Sequence, residues 1–241
     1  MRNLTQPLFR TLVELFYPSN CVGCGFAQAA GTFLCDECRA STPRITPPFC
    51  HCCSRPFEGI FTGRFSCPNC EDRELAFDCV VAVYQAKGVL RDLIHRFKYE
   101  GQYYLRQLLS EILLEAMRDE RMAATPIDAF VPVPLHPARR RERGFNQAEA
   151  LAKSLSKKTA IPLLDCVERR SYTQTQTRFD REERIKNLRN AFALRKSSVV
   201  LGKNLVLLDD VLTTGSTLHE CAFVLRNAGA ESVRAITVVR G

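Results

Sequence analysis

Apolar positions follow two different rhythms along this chain, and the change comes near residue 78. Beyond it, short apolar runs alternate with amphipathic stretches. Residues 80–84, 129–134, 162–167, 205–208 and 232–239 read as strands, whereas 90–97, 105–117, 147–158 and 218–228 carry the three-to-four residue spacing of helices. Strand and helix in alternation predict an α/β fold, a parallel sheet flanked by helices. The run at 205–208 is expected to stop at Asp209 and Asp210. The segment 169–189 is too charged for a core, and loops of that length are usually functional or disordered.

Before residue 78 little periodicity remains. Leu4, Leu8, Leu12, Leu15 and Phe16 stand at helical spacing, but Pro7 limits the helix and Arg10 and Glu14 interrupt it. The stretch fits a core-packing helix better than a membrane-surface one, and neither a signal peptide nor a membrane span. The expected organisation is an N-terminal helix with a cysteine-rich module over 1–78 and an α/β domain over 79–241, in the cytoplasm.

Cysteine usage gives the first module its chemistry. Of 12 cysteines, eight form C-x-x-C pairs: Cys21 with Cys24, Cys35 with Cys38, Cys50 with Cys53, and Cys67 with Cys70. Two thiolates at that spacing grip one Zn²⁺, and two such knuckles complete a tetrahedral site. A disulfide framework is the rival, disfavoured because no secretory segment precedes the cysteines and the downstream fold suits a reducing compartment. Sequential pairing gives two four-cysteine sites. Cross-brace pairing, exchange with His51 or Cys52, and filling of one site alone stay open. Such a short module needs zinc to fold, so the role expected of the metal is structural. Cys79, Cys166 and Cys221 lack metal-like partners and read as small core residues.

Charge is unevenly placed. The formal net charge is +8, and between Arg139 and Arg189 fourteen Lys and Arg face seven Asp and Glu. Aromatics interleave with these and neighbouring cations: Phe97, Lys98, Tyr99, Tyr103, Tyr104 and Arg106 in one group, Arg143, Phe145, Tyr172, Arg178 and Phe179 in another. Cations on backbone phosphates with rings stacked on bases would bind single-stranded nucleic acid. The plainer reading is aromatics in the core and cations on a solvated face.

The densest chemistry lies at 205–217, where an apolar strand leads to Asp209 and Asp210 and then to Thr213, Thr214, Gly215, Ser216 and Thr217. Backbone N–H groups of a glycine-centred turn before a helix converge on an anion. Carboxylates at the strand end accept hydrogen bonds from sugar hydroxyls, so the combination points to a sugar phosphate. A nucleotide hydrolase strand is a weak alternative, since the chain has no G-x-x-x-x-G-K-[ST] loop. An ordinary capped helix is the other.

This run resembles the phosphoribosyl-pyrophosphate (PRPP) signature of type I phosphoribosyltransferases. Together with FKYEG at 97–101, RGFNQ at 143–147, and TQTQ at 173–176 followed by Arg178, Arg181, Arg184 and Asn187, it resembles the ComF (ComFC/GntX-like) family over nearly the whole chain. The resemblance implies a double zinc ribbon ahead of a type I phosphoribosyltransferase-like domain. It also implies a role in DNA uptake during natural transformation, with handling of single-stranded DNA and a helicase-like partner. Asp209, Asp210 and Lys98 would be the catalytic groups, with Mg²⁺ accompanying PRPP. The 213–217 turn would take the 5′-phosphate, and the basic loop with Arg140 and Arg143 the pyrophosphate. Arg178, Arg181, Arg184 and Lys186 would contact nucleic acid, and the segment 169–189 could close as a lid. Either transfer of ribose 5-phosphate to an unidentified acceptor or DNA binding with a retained PRPP pocket would follow, with no assignable general base. Two departures stand out: Thr213 replaces the acidic residue of purine-type enzymes, and no C-terminal hood follows residue 241. An N-terminal element would have to take the hood's place, or there is no small acceptor.

Overall fold

The computed structural model describes residues 20–27, 32–59, 63–170, 190–195 and 199–241. Among these, four parallel strands form the central sheet: β1 (Val80–Gln85), β2 (Ala129–Pro132), β5 (Asn204–Leu212) and β6 (Ser232–Arg240), in the order β1-β6-β5-β2. Side chains alternate across the sheet. Val206, Leu208, Ile236 and Val238 face one core, while Leu205, Leu207, Val233 and Ala235 face the other. Apolar residues on both faces explain why these strands read as continuous hydrophobic runs.

One face is covered by three helices, α3 (Gly88–Tyr99), α4 (Arg106–Ala116) and α7 (Gln147–Thr159), whose buried Leu93, Phe97, Leu109, Leu113, Leu151 and Leu155 fill that core. The other face is covered by α8 (Ser216–Asn227) through Leu218, Cys221, Ala222 and Leu225. Cys79, Cys166 and Cys221 are buried, as expected of small core residues. Among the described residues no helix is long and apolar enough to cross a membrane.

Three expectations need correction. The strand at 205–208 does not stop at the carboxylates, because β5 continues through Asp209 and Asp210 to Leu212, paired with β6 by Asp209 opposite Thr237 and Leu212 opposite Arg240. Residues 162–167 are not a strand of the main sheet. Leu163 makes a single parallel bridge to Phe130, and the chain then turns into β3 (Val167–Arg169), which pairs antiparallel with β4 (Phe192–Leu194) as a separate two-stranded sheet. The basic loop after β2 contains a short helix, α6 (Pro137–Arg143), started by Pro137 and by His136 Nδ1, which accepts from Ala138 N at 3.2 Å, and ended by Gly144 at φ +78°.

The cysteine-rich segments cover the edge of the sheet beside β1. Ile45 N donates to Val83 O, Gln85 N to Pro43 O and Val80 N to Cys52 O, at 2.7–2.9 Å. Fully buried Ser54 receives Ala82 N on its hydroxyl and donates to Val80 O. An otherwise open strand edge is thereby satisfied. Two short helices, α1 (Asp36–Ala40) and α2 (Pro68–Glu71), hold the second knuckle of each cysteine cluster, and α5 (Glu120–Ala123) leads into β2. The N-terminal helix expected over 4–17 lies outside the described residues.

Candidate functional site

The carboxyl ends of the parallel strands gather the chemistry, as an open α/β sheet dictates. Asp210 is almost wholly buried and its Oδ1 lies 2.8 Å from Lys98 Nζ, carried by the last turn of α3. Two segments more than a hundred residues apart thus meet in an ion pair shielded from water, where a charge without a partner would be costly. Asp209 Oδ1 accepts the backbone N–H of Asp210 at 2.9 Å. Burial, followed by the adjacent Asp210 carboxylate, pushes Asp209 up to about 7, against the pull of Lys98 and Arg143.

After β5 the chain makes the small-residue turn. Gly215 sits at φ +77°, a left-handed conformation that an L side chain adopts only with strain, and begins the twelve-residue α8. The Thr214 and Ser216 hydroxyls lie 3.0 Å apart, and Thr213 is exposed at the strand end. The turn stands at the positive end of a helix beside two carboxylates, an arrangement that takes an anion and a polyhydroxylated group together.

Arg143 approaches the same place from the other side. Its guanidinium donates to Tyr99 OH at 3.1 Å and to Gln147 Oε1 at 3.0 Å, and lies 4.9 Å from the centre of the Tyr99 ring. Asn146 fixes this segment by capping α7 through Ala148 N and donating to Val133 O. Arg140 is further out, half exposed and paired with Glu149 at 3.1 Å. The two aromatic groups read from the sequence meet: Phe145 packs on both Phe97 and Tyr103, and Arg106 lies 4.2 Å from the Tyr103 ring centre. Phe97 is core, while Tyr99 and Tyr103 remain exposed. Arg178, Arg181, Arg184 and Lys186 lie outside the described residues, as do Tyr172 and Phe179.

The eight paired cysteines form two groups in sequential order, Cys21, Cys24, Cys35 and Cys38, then Cys50, Cys53, Cys67 and Cys70, with the sulfurs of each group within 4.8 Å of one another. Cys24 and Cys35 sulfurs are 3.7 Å apart and those of Cys53 and Cys67 are 3.6 Å apart, close to the roughly 3.8 Å edge of a tetrahedron with zinc–sulfur bonds of about 2.3 Å. Backbone N–H groups of Cys35 and Cys67 point at Cys21 Sγ and Cys50 Sγ, both at 3.3 Å. Such donors stabilise thiolates. All twelve cysteines are free thiols, so the geometry fits zinc and not a disulfide framework; His51 and Cys52 stand outside both groups.

Sequence reasoning missed the residues that join the second group to the turn. Arg73 Nη1 donates to Thr214 O at 3.0 Å and Asn69 Nδ2 to the same carbonyl at 3.5 Å. Ala76 N donates to His219 Nδ1 at 3.1 Å, and Phe77 packs beneath Gly215. Arg169, placed beside Asp209 by β3, was read only as the start of a polar loop. No local pattern marks these residues; their partners lie 40 or more positions away.

Comparison with known proteins agrees with the geometry. Residues 12–74 match the double zinc ribbon domain and residues 141–241 the phosphoribosyl transferase domain. Competence protein F of Haemophilus influenzae is 33% identical over 225 residues, covering 91% of this chain and 96% of the relative. Competence protein ComFC of Streptococcus pneumoniae is 30% identical, covering 79% and 87%, and DNA utilization protein YhgH of Escherichia coli is 32% identical, covering 91% and 96%.

Proposed function

Since this chain belongs to the competence protein F/ComFC family, carrying a phosphoribosyl transferase domain behind a double zinc ribbon, we propose that it binds Mg²⁺-PRPP at the end of β5 and acts in DNA uptake and utilisation. The observation that carries the reading is the Lys98–Asp210 pair standing beside a glycine-centred turn that opens a helix. Asp209 and Asp210 hold the ribose hydroxyls, and residues 213–217 hold the 5′-phosphate. Lys98 pairs with Asp210 and orients it. Arg143, with Arg140 behind it, neutralises the pyrophosphate, which must shed water as it enters. Asp209 and Asp210 would help to hold Mg²⁺, which would offset charge on the pyrophosphate. The division into 1–78 and 79–241 and a cytoplasmic setting belong to the same reading.

Single-stranded DNA is the second ligand we assign, on the surface where exposed Tyr99 and Tyr103 lie under Arg143 and Arg106. Rings and cations in that arrangement suit splayed bases and their phosphates. Arg178, Arg181, Arg184 and Lys186 would extend it, and a helicase-like protein would deliver the strand. The alternative is an enzyme transferring ribose 5-phosphate from PRPP to an unidentified acceptor, favoured by the intact pair of carboxylates. Calorimetry of the zinc-loaded chain decides. Mg²⁺-PRPP should bind, and the Asp209→Asn, Asp210→Asn double variant should lose that binding while retaining affinity for an oligonucleotide. Absence of PRPP binding to the native chain would end the PRPP assignment; loss of both ligands in the double variant would end the separation between them.

A further inference from the structure

A cavity of about 1070 Å³ opens between the second cysteine group and the carboxyl ends of β1 and β6. Its walls come from three places. Arg55, Phe57, Glu58, Phe65 and Asn69 descend from the ribbon; Lys87 and Arg240 stand at the strand ends; Thr213 and Thr214 belong to the phosphate turn. The Phe57 and Phe65 rings are 4.5 Å apart between centres, and Phe57 keeps 37% of its surface exposed. Three cationic side chains, Arg55, Lys87 and Arg240, stand there with one acidic side chain, Glu58, and with Gly241. Arg240 is only 8% exposed, its Nη1 donates to Gly241 O, and its Nε has no hydrogen-bond partner.

We infer that this cavity is a nucleotide subsite, in which a base packs against Phe57 and Phe65 and a phosphate is held by Arg55, Lys87 and Arg240. The volume is ample for a whole nucleotide, well beyond a single planar ring. Rings provide a stacking surface and the cations a charge-assisted grip. Because Thr213 and Thr214 belong both to this wall and to the turn, the subsite adjoins the PRPP pocket; that adjacency rests on the reading of the turn proposed above. The ribbon thereby closes over the sheet end and supplies the aromatic wall.

The test uses the full zinc-loaded chain and thymidine 3′-monophosphate, which has no 5′-phosphate to compete for the 213–217 turn. Calorimetry is run with and without saturating Mg²⁺-PRPP. The nucleotide is expected to bind in both conditions, and thymidine or inorganic phosphate alone to bind at least about tenfold more weakly, as loss of one charged or stacking contact implies. Phe57→Ala and Lys87→Ala, both at exposed positions, should each weaken the nucleotide by about tenfold and leave PRPP affinity unchanged. No binding of the nucleotide, or binding indifferent to both substitutions, overturns the subsite. Failure of PRPP to bind overturns the turn assignment instead, and the titration without PRPP still decides the cavity.

Discussion

The two cysteine groups share ligand type and spacing but differ in what they hold. In the first, Cys24 is exposed and Cys35 partly so, and the knuckle rests against the outside of α3: Gly23 is packed so closely on Val89 that a Cβ there would come within 2.8 Å of it, and Arg96 donates to Val22 O at 2.6 Å. In the second, all four cysteines are buried, and they join Phe77, Leu212 and Leu218 in the core beneath the 213–217 turn. Among the described residues the first group rests on α3, whose last turn carries Lys98. The second grips the turn directly through Asn69, Arg73 and Phe77. Ligand chemistry therefore makes a metal site, while burial decides whether that site is a brace on the outside or part of the core beneath the 213–217 turn.

Removing one ligand from each group gives the largest expected contrast. Cys53→Ser should destabilise the chain by at least about 5 kcal/mol, because zinc binding there is folding free energy, and should abolish PRPP binding with it. Cys24→Ser should lower the melting temperature less and leave PRPP affinity within about threefold, since its group is half in solvent. Thermal unfolding and PRPP calorimetry on both variants measure this; equal losses would erase the distinction between the groups.

Lys98→Ala tests the link that α3 makes between the first group and the site. It leaves Asp210 buried without its cation, at a cost of about 3 kcal/mol, and should weaken PRPP by more than tenfold without releasing zinc. Chemical denaturation and metal analysis read the two effects separately, and unchanged stability would show that the pair contributes nothing. Arg73→Ala is milder. It removes one charged donor from Thr214 O and should weaken PRPP about fivefold, or roughly 1 kcal/mol, with both zincs retained. Unaltered PRPP affinity would reduce the second ribbon to a bystander.

The smallest effect concerns pH. Asp209 is raised from 3.8 to about 7, so between those values the folded chain keeps a proton that the unfolded chain has lost, and stability falls as pH rises through the window. Asp209→Asn cannot ionise and escapes this loss. Without Mg²⁺ or PRPP its melting temperature should exceed that of the native chain at pH 8 and differ little at pH 4. The same difference at both values would mean that Asp209 titrates as an ordinary carboxylate. A gain at pH 8 would mark the region held by the second ribbon as one where ligand binding is kept at the expense of stability.

Much of this molecule was legible in one dimension. Each strand of the main sheet announced itself as a buried apolar run, and the helices at 90–97, 105–117, 147–158 and 218–228 were each found within two residues at either end. The errors fell where local signal was shared between structures. Residues 162–167 are apolar enough for a strand, yet they meet the sheet at Phe130 alone, through Pro162 O and Leu164 N, and Asp209 was expected to end β5 because carboxylates disfavour strands in general. Pairing with Thr237 and Leu212 with Arg240 overrode that preference.

By itself the sequence determined the ligand chemistry and the scaffold: C-x-x-C spacing fixes a knuckle within four residues, the two carboxylates precede the turn in one covalent run, and alternation fixes which faces are buried. Only the tertiary structure decided that Lys98 meets Asp210, that Arg73 and Asn69 hold Thr214, and that Phe57 and Arg240 line one cavity. Local patterns record forces that act between neighbours a few bonds apart, whereas those meetings join residues more than a hundred positions apart. They exist only because burying two apolar faces of one sheet leaves the chain few ways to bring its ends together.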